Sequence, residues 1–293
     1  MILVVESGST KADWMLIKGS HRIPYTTKGF NPFFHSKEDI LIELNEHLEL
    51  DLIKNEVSQV HFYGAGCSSV KLNLIIENGL KAFFTNATVL VDHDLKACAV
   101  SLYEKTPIIA CILGTGSNSC YFDGKNVTEN SFALGYVLGD EGSGSYFGKI
   151  ILSDYLYGRL PEKMMADMNR IGLTKENIFE SVYMKENANV YIASFMPILF
   201  KNKELPYSQQ IIQKGFTEFI DKHVLCYPES KKSPISFVGS VAALLKDELE
   251  EVCNKKGVLF GKVIRRPLEN LVTYHLNNAS IETETFKIKI NKN

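Results

Sequence analysis

The stretch that decides the fold is IIACILGTGSNSCYF at residues 108–122, where two apolar runs flank a turn of small residues. The run Ile108–Leu113 predicts a strand, Gly114–Ser117 a turn, and Asn118–Phe122 a second strand paired with the first. A similar stretch, ILVVESGSTKADWMLI, occupies residues 2–17. This strand–turn–strand unit therefore occurs twice, and the repeat predicts two related α/β halves.

Strand and helix patterns alternate after each copy of this unit. Ser36-x-x-Asp39 has the spacing of a helix capping box, and Ile40, Leu44 and Leu48 repeat every four residues behind it, as in an amphipathic helix. The remaining patterns predict strands at 22–26, 59–63, 88–92, 234–238 and 257–264, and helices at 69–84, 94–102, 146–157, 178–201, 208–226, 241–255 and 267–275.

Length and composition indicate a globular protein of two domains. The chain has 293 residues, of which 45% are hydrophobic and 23% charged, and a domain usually takes about 100–200 residues. A boundary near Thr106-Pro107 gives an N-terminal domain of residues 1–107 and a C-terminal domain of residues 108–293.

Charge and cysteine usage exclude several function classes. The net charge of −2 leaves no excess of positive charge to neutralise a nucleic-acid backbone or an acidic membrane surface. There is no run of about 18 apolar residues, so no membrane-spanning helix is expected. The six cysteines form no C-x-x-C pair and are interpreted as reduced thiols. We therefore expect a cytoplasmic protein that acts on a small molecule, with no nucleic-acid or membrane partner; a homodimer is left open.

The first turn, ESGSTK at residues 6–11, has the composition of a phosphate-binding turn. Backbone N–H groups and the Ser9 and Thr10 hydroxyls can wrap phosphate oxygens, and the glycine lets the backbone approach them. Glu6 would hold Mg²⁺ through water, since that ion prefers oxygen ligands and keeps several waters. Lys11 would approach the phosphates as a point charge. An ordinary hairpin turn has the same composition, so this turn alone leaves both interpretations open.

The second turn, Gly114-Thr115-Gly116-Ser117, repeats the same design. It is not the dinucleotide fingerprint, because Ser119 stands where G-x-G-x-x-G requires a glycine. Two phosphate turns, one in each domain, fit a nucleotide bound in a cleft between the domains. A plain hairpin turn remains the alternative here too.

Two further glycine turns follow in the second half. In Gly139-Asp140-Glu141-Gly142, two acidic residues lie inside a tight turn, which is costly unless they contact something; a helix cap is the other interpretation. At Gly239-Ser240 a strand ends and a helix begins, so the backbone would pass beneath an adenine or a ribose. Taken alone, this last motif favours an ordinary strand-to-helix turn.

In this order, the four turns resemble those of the actin/hexokinase/Hsp70-type ATPases, and more specifically the BadF/BadG/BcrA/BcrD-type ATPase family with its N-acetylglucosamine kinase branch. The resemblance runs from Met1 to about His275, and its most specific part is the separation of Gly-Thr-Gly-Ser from Gly-Asp-Glu-Gly-Ser. It implies an α/β fold of two ribonuclease-H-like (actin-like ATPase) domains, with ATP and Mg²⁺ in the interdomain cleft. It also implies phosphate transfer from ATP to a hydroxyl of an amino sugar, N-acetylglucosamine being the expected one.

The resemblance assigns roles to single residues. Asp94, in VDHDLKA at residues 91–97, matches the family's catalytic aspartate at the start of a helix. A carboxylate at the carboxyl end of a strand is also suited to accept a hydroxyl proton, although a helix N-cap is an equal alternative and Asp92 is a rival. Asn31, in GFNP, matches an asparagine that holds sugar hydroxyls, and Asp140 matches the acidic residue of the sugar loop.

The chain departs from the family pattern at two places. Glu6 replaces the usual aspartate of the first turn. In the loop 132–136, which the resemblance places near the sugar, only Gly135 matches the family's Gly-Gly-aromatic-Gly motif. Phosphate or nucleotide contacts are expected from Gly8, Ser9, Thr10, Lys11, Gly114, Thr115, Gly116, Ser117, Gly239 and Ser240, sugar contacts from Asn31, Asp94, Thr115, Gly135, Asp140 and Glu141, and magnesium contacts from Glu6.

Two other functions share these motifs. One is an ATPase that activates a radical dehydratase or reductase and carries an iron–sulfur cluster in a dimer. Cys111 and Cys120 flank the second turn, but they do not have the paired spacing of cluster ligands. The other is a non-catalytic sensor of a sugar or nucleotide.

Overall fold

The computed structural model describes residues 1–8 and 11–277. The chain forms two compact units: the first unit is Met1–Ser101 with the segment that begins at Pro267, and the second unit is Leu102–Arg266. The predicted division after residue 107 therefore differs in two respects. The boundary lies several residues earlier, and the helix at 268–277 belongs to the first unit rather than to the C-terminal one.

The return of this last helix is explained by its contacts with the first sheet. The His275 ring stacks on His61 with centroids 3.9 Å apart, and His275 Nε2 lies 3.0 Å from the Tyr63 hydroxyl. Leu271 and Val272 are fully buried. These contacts join residues about 200 positions apart, which turn and periodicity patterns do not reveal.

The first unit contains a mixed five-stranded sheet of order β3-β2-β1-β4-β5. Pairing is antiparallel between β1 and β2 and between β2 and β3, and parallel between β1 and β4 and between β4 and β5. The elements are β1 (Ile2–Ser7), β2 (Lys11–Lys18), β3 (His21–Lys28), α1 (Lys37–Glu46), α2 (Leu48–Ile53), β4 (Gln59–Gly64), α3 (Val70–Phe83), β5 (Thr88–His93) and α4 (Asp94–Leu102), with the helix 268–277 completing the unit.

The predicted capping box is present at the start of α1, where Ser36 and Asp39 exchange side-chain-to-backbone hydrogen bonds. Ile40 and Leu44 are buried as the four-residue repeat predicts, but Leu48 is 77% exposed. That part of the prediction is wrong because α1 ends at Glu46. His47 then caps a new helix, its side chain accepting from the Leu50 N–H.

The second unit contains a sheet of order β10-β9-β6-β7-β8. The elements are β6 (Ile108–Leu113), β7 (Ser117–Phe122), β8 (Val127–Thr128), α5 (Gly135–Leu138), α6 (Gly144–Leu156), α7 (Glu162–Arg170), α8 (Lys175–Tyr183), α9 (Ala188–Ala193), α10 (Met196–Lys201), α11 (Pro206–Phe219), a π-helical segment (Ile220–Val224), β9 (Ile235–Val238), α12 (Ser240–Leu244), α13 (Lys246–Lys255) and β10 (Phe260–Ile264).

The two sheets repeat one topology. In each, two antiparallel strands joined by a small-residue turn (β1–β2 and β6–β7) are followed outward by two parallel strands on the other side. The predicted α/β class and the two related halves are confirmed. The segment 178–201, predicted to be mostly helical, contains α8, α9 and α10, with a break at Asn187, whose φ of 57° is left-handed. The single helix predicted at 241–255 is divided into α12 and α13.

The structure bears on the predictions about the cysteines and about membrane-spanning helices. All six cysteines are free and five are buried, as expected for reduced structural thiols. Within residues 1–8 and 11–277, no helix has both the length and the apolar character that crossing a membrane requires.

Candidate active site

The first unit brings its predicted site residues to one edge of the sheet. Ser7 at the end of β1, Gly64 at the end of β4 and His93 at the end of β5 are partners in the strand register. Since these strands are parallel, their carboxyl ends meet at this edge, where open α/β sheets usually bind ligands. Glu6 and Asp94 each lie one residue from this row.

Glu6 is paired in register with a second carboxylate that the sequence analysis missed. It lies directly opposite Asp13 in the antiparallel β1–β2 pair, and residues directly opposite each other carry their side chains on the same face. Lys11, predicted to contact phosphate, has its Nζ 2.5 Å from Asp13 Oδ1. The hairpin register predicted over residues 2–17 would have identified Asp13, because a turn after Ser7 sets it against Glu6.

The first turn is closed by a short backbone hydrogen bond. The Gly8 N–H donates to the Lys11 carbonyl at 2.9 Å. Ser9 and Thr10, the two hydroxyl residues of the predicted phosphate turn, lie outside the described residues.

Asn31 lies at the same sheet edge. The Phe30 N–H donates to Ser7 Oγ at 2.9 Å, which ties the segment around Asn31 to the end of β1. Asn31 is 6% exposed, and its Oδ1 accepts from the Phe33 N–H at 3.0 Å. A Cβ on Gly66 would lie 2.5 Å from this oxygen. Glycine at this position therefore leaves room for the Asn31 carboxamide.

Asp94 is the first residue of α4, directly after β5. The positive end of a helix favours the ionised form of a carboxylate there. Its Oδ1 lies 3.0 Å from His93 Nδ1, and its side chain is 32% exposed. Burial and the nearby charges of Asp94 and Asp92 raise the pKa of the Cys67 thiol to about 12, so this neighbour stays neutral. The rival Asp92 is exposed and accepts from the His93 N–H at 2.8 Å.

In the second unit, the Gly114–Ser117 turn packs against the acidic turn and the start of α6. The carbonyls of its first two residues accept from the N–H groups of Gly144 and Ser145 at 2.8 and 2.9 Å. The Ser117 N–H donates to Asp140 Oδ1 at 3.2 Å, and Ser145 Oγ donates to Asp140 Oδ2 at 3.3 Å. Two motifs that are 23 residues apart thereby form one site.

The position of Asp140 is energetically unfavourable in two ways. Its φ of 58° lies in the left-handed region, which a residue other than glycine seldom adopts. Burial raises the pKa of its carboxyl despite the hydrogen bonds from Ser117 and Ser145. A Cβ on Gly116 would lie 3.0 Å from Asp140 Oδ2, so this turn glycine allows the carboxylate to approach closely.

Gly239 joins the same site from the other side of β6. Its N–H donates to the Ile264 carbonyl at 3.0 Å, and a Cβ there would lie 2.2 Å from the Leu113 carbonyl oxygen. The strand-to-helix turn therefore passes directly beside the start of the Gly114–Ser117 turn. Ser240, the next residue, is exposed.

Glu141 has its carboxylate turned into the unit. Its Oε1 accepts from Lys222 Nζ at 2.7 Å, and its Oε2 lies 3.1 Å from His223 Nε2. Burial alone would raise the pKa of Glu141, but the hydrogen bonds from Lys222 and His223 outweigh it and leave the pKa below its usual value. The sequence predicts a sugar contact for Glu141 but reveals neither Lys222 nor His223 as its partner.

The remaining predicted sugar residues are more open. Thr115 is exposed on the second turn. Gly135 begins α5, a Cβ there would meet nothing within 4 Å, and its carbonyl accepts from the Gly139 N–H at 2.8 Å. The 132–136 loop is thus connected directly to the acidic turn.

The residues of the second unit fit a phosphate group. Ser117 Oγ is buried and has no hydrogen-bond partner among the described residues, although buried hydroxyls are normally paired. A Cβ on Gly114 would meet nothing within 4 Å, so the backbone at this position faces open space. An anionic oxygen would satisfy the orphaned hydroxyl and could approach the bare backbone of this turn.

The carboxylates of the first unit suit a magnesium ion held mainly by water. Mg²⁺ usually binds proteins through one or two carboxylates and keeps several waters, and Glu6 and Asp13 share a face. The part of the chain that the structure describes contains no group of three or more His, Cys, Asp or Glu side chains arranged to hold a metal. Burial raises the pKa of Cys111, which keeps the thiol beside the second turn protonated.

The proteins that match this chain are found among solved structures. No family model and no curated protein sequence matches the chain. It is similar to the "Putative N-acetylglucosamine Kinase" from Porphyromonas gingivalis, with 36% sequence identity over 95% of this chain and 100% of that one, and a TM-score of 0.90.

Two more distant structures share the fold. A "Putative N-acetylglucosamine Kinase" from Chromobacterium violaceum is 14% identical, covers 93% of this chain and 98% of its own, and has a TM-score of 0.68. A ROK family glucokinase from Streptomyces griseus, solved with glucose and AMPPNP, is 13% identical over 90% of this chain and 94% of its own, with a TM-score of 0.50. The chain therefore has the two-domain actin-like fold of sugar kinases.

Proposed function

The chain belongs to the same family as the Porphyromonas gingivalis protein, and from this premise we propose that it is an ATP-dependent sugar kinase whose acceptor is an amino sugar, N-acetylglucosamine first. We further infer that this family is the N-acetylglucosamine kinase branch of the BadF/BadG/BcrA/BcrD-type ATPases. The order and separation of the four glycine turns support this finer assignment. A cytoplasmic location and a homodimer stay predictions from the sequence.

The observation that carries the proposal is the buried Ser117 hydroxyl, which has no hydrogen-bond partner within residues 1–8 and 11–277, on a turn whose glycine faces open space. Such a turn is suited to hold the phosphates of ATP with backbone N–H groups and one hydroxyl. Gly239 and Ser240 lie beside it and would contact the rest of the nucleotide.

In the proposed reaction, Asp94 is the general base. A sugar hydroxyl oxygen bonds to the γ-phosphorus while the bond from that phosphorus to the ADP oxygen breaks, and the hydroxyl proton passes to the Asp94 carboxylate. Phosphoryl transfer otherwise needs mainly positioning and charge stabilisation. The turn at 114–117 would supply donors for this purpose, and Ser9, Thr10 and Lys11 stay predicted phosphate contacts.

Glu6 and Asp13 would hold the magnesium ion through its waters. When bound, the ion neutralises charge on the phosphates. Asn31 in the first unit and Asp140 in the second are each proposed to contact sugar hydroxyls, the first through its carboxamide and the second as an acceptor. Thr115 and Gly135 stay predicted sugar contacts.

The experiment is ADP release with ATP and Mg²⁺, measured across a panel of hexoses and N-acetylated amino sugars. Strong stimulation by one amino sugar is expected. Stimulation by none of them would contradict the kinase proposal.

Asp94→Asn and Asp92→Asn form a matched pair that tests the base. Asp94→Asn should abolish sugar-dependent ADP release while ATP binding, measured by calorimetry, persists, because only the proton acceptor is lost. Asp92→Asn should stay active. Unchanged turnover in Asp94→Asn would refute this role, and loss confined to Asp92→Asn would transfer it to the rival.

A further inference from the structure

We propose that His223 is a positioning residue of the sugar site, which fixes residues 131–142 through Glu141 and Ser131. The inference rests on the proposed function, since it concerns how that site is held. His223 lies in the π-helical segment Ile220–Val224, and π-helical insertions frequently occur at functional sites.

His223 connects two separate parts of the chain with its two ring nitrogens. Nε2 lies 3.1 Å from Glu141 Oε2, and Nδ1 lies 3.1 Å from Ser131 Oγ. Glu141 is ionised at neutral pH, because the hydrogen bonds to it lower its pKa, so it only accepts. Nε2 therefore carries a proton that it donates to Glu141, and Nδ1 is within hydrogen-bond distance of the Ser131 hydroxyl.

The ring itself is held firmly. Its side chain is 5% exposed, and it stacks on Phe219 with centroids 5.1 Å apart and planes at 20°. The His223 carbonyl accepts from Ser119 Oγ at 2.6 Å, and Tyr227 donates to the Ser119 carbonyl at 2.9 Å. The π-helical segment is thus attached to the middle of β7.

Both ends of this connection reach residues proposed to contact the sugar. Glu141 follows Asp140 in the acidic turn, and Ser131 precedes the loop that contains Gly135. Lys222, the neighbour of His223, occupies the other oxygen of Glu141. Loss of the imidazole would therefore weaken the attachment of the acidic turn, leaving Lys222 as its remaining partner at Glu141, and would remove the contact to Ser131. The Gly114–Ser117 backbone contacts would stay in place.

The test compares His223→Ala, His223→Gln and the control Asp167→Asn in the full chain. Small displacements of positioning groups can reduce rates about 100-fold. We expect His223→Ala to raise the KM for N-acetylglucosamine by about ten- to a hundredfold while the KM for ATP changes little. His223→Gln keeps a donor toward Glu141 and should recover part of the loss.

Asp167 provides the matched control. Its carboxylate is 6% exposed and accepts from Lys201 Nζ at 2.7 Å and Asn202 Nδ2 at 3.0 Å, so Asp167→Asn weakens a similarly buried network in the same unit. It should lower the melting temperature without changing the KM for the sugar. Equal changes in sugar KM for Asp167→Asn and His223→Ala would show that His223 is merely structural and overturn the proposal.

Hydrogen exchange supplies a readout that does not require turnover. Amides in residues 131–142 should exchange faster in His223→Ala than in the wild type or in Asp167→Asn. Unchanged exchange there would overturn the positioning role. Absence of sugar-dependent ADP release in the wild type would instead refute the proposed function, and the exchange result would still decide the role of His223.

Discussion

Gly239→Ala combines an unfavourable backbone conformation with a close contact to backbone atoms. Gly239 has φ 131° and ψ 164°, a region that is almost confined to glycine. A Cβ there would lie 2.2 Å from the Leu113 carbonyl oxygen and 3.0 Å from the Gly114 nitrogen. These neighbours are backbone atoms, so they cannot rotate away as a side chain would.

The magnitude follows from two separate costs. The backbone conformation costs a residue with a side chain about 1–3 kcal/mol, and overpacking of a tight contact costs about 1–3 kcal/mol more. The expected destabilisation is therefore about 2–6 kcal/mol. For a unit of this size, 1 kcal/mol lowers the melting temperature by about 2–4 °C, which gives a fall of about 4–24 °C.

The assay is calorimetric melting of the full chain, with Gly158→Ala as the matched control. Gly158 lies in the same unit and has φ 67°, but a Cβ there would meet nothing within 4 Å. Gly158→Ala should lose only the free energy of the left-handed conformation, about 1–2 kcal/mol. If Gly239→Ala melted at or above the temperature of Gly158→Ala, the argument from the Leu113 contact would be refuted.

Three further substitutions test other parts of the molecule. Gly114→Ala should leave the melting temperature nearly unchanged, because its Cβ meets nothing within 4 Å; blocking one charge-assisted hydrogen bond to phosphate should raise the KM for ATP about ten- to a hundredfold in steady-state kinetics. Burial raises the pKa of the Asp140 carboxyl, so the folded protein keeps this carboxyl protonated to a higher pH than the unfolded chain does. The free energy of unfolding therefore falls as the pH rises through the folded-state pKa. Asp140→Asn should therefore melt above the wild type at pH 7, with the difference vanishing below about pH 4, and a difference that grows on acidification would contradict this. Ser36→Ala removes the capping box of α1 and should cost about 1 kcal/mol in denaturant unfolding; no loss would show that the cap contributes nothing.

The parts of the fold that the sequence predicts are those with local causes. Apolar runs that end in small-residue turns identify β1–β2 and β6–β7, and the Ser36 cap marks the start of α1. Each of these features depends on residues fewer than about ten positions apart. The four glycine turns are local features of the same kind, and their order carries the resemblance to the actin-like ATPases.

The features that the sequence did not predict depend on distant partners. Glu141 meets His223, 82 positions further along the chain, and no periodicity connects them. The final helix returns to the first unit through His275 and His61, again without a local pattern. Asp13 is an intermediate case, because hairpin register alone places it opposite Glu6.

Several features of the site in the second unit lower the stability of the folded protein. Asp140 adopts a left-handed conformation and carries a carboxyl whose pKa burial raises, while Ser117 Oγ is buried without a partner among the described residues. Such costs persist only where the surrounding structure over-determines them, and here Glu141, Lys222 and His223 hold the turn from behind. A bound phosphate or sugar hydroxyl would give the Ser117 hydroxyl a hydrogen-bond partner, which is why the unfavourable features of this turn favour a ligand-binding role.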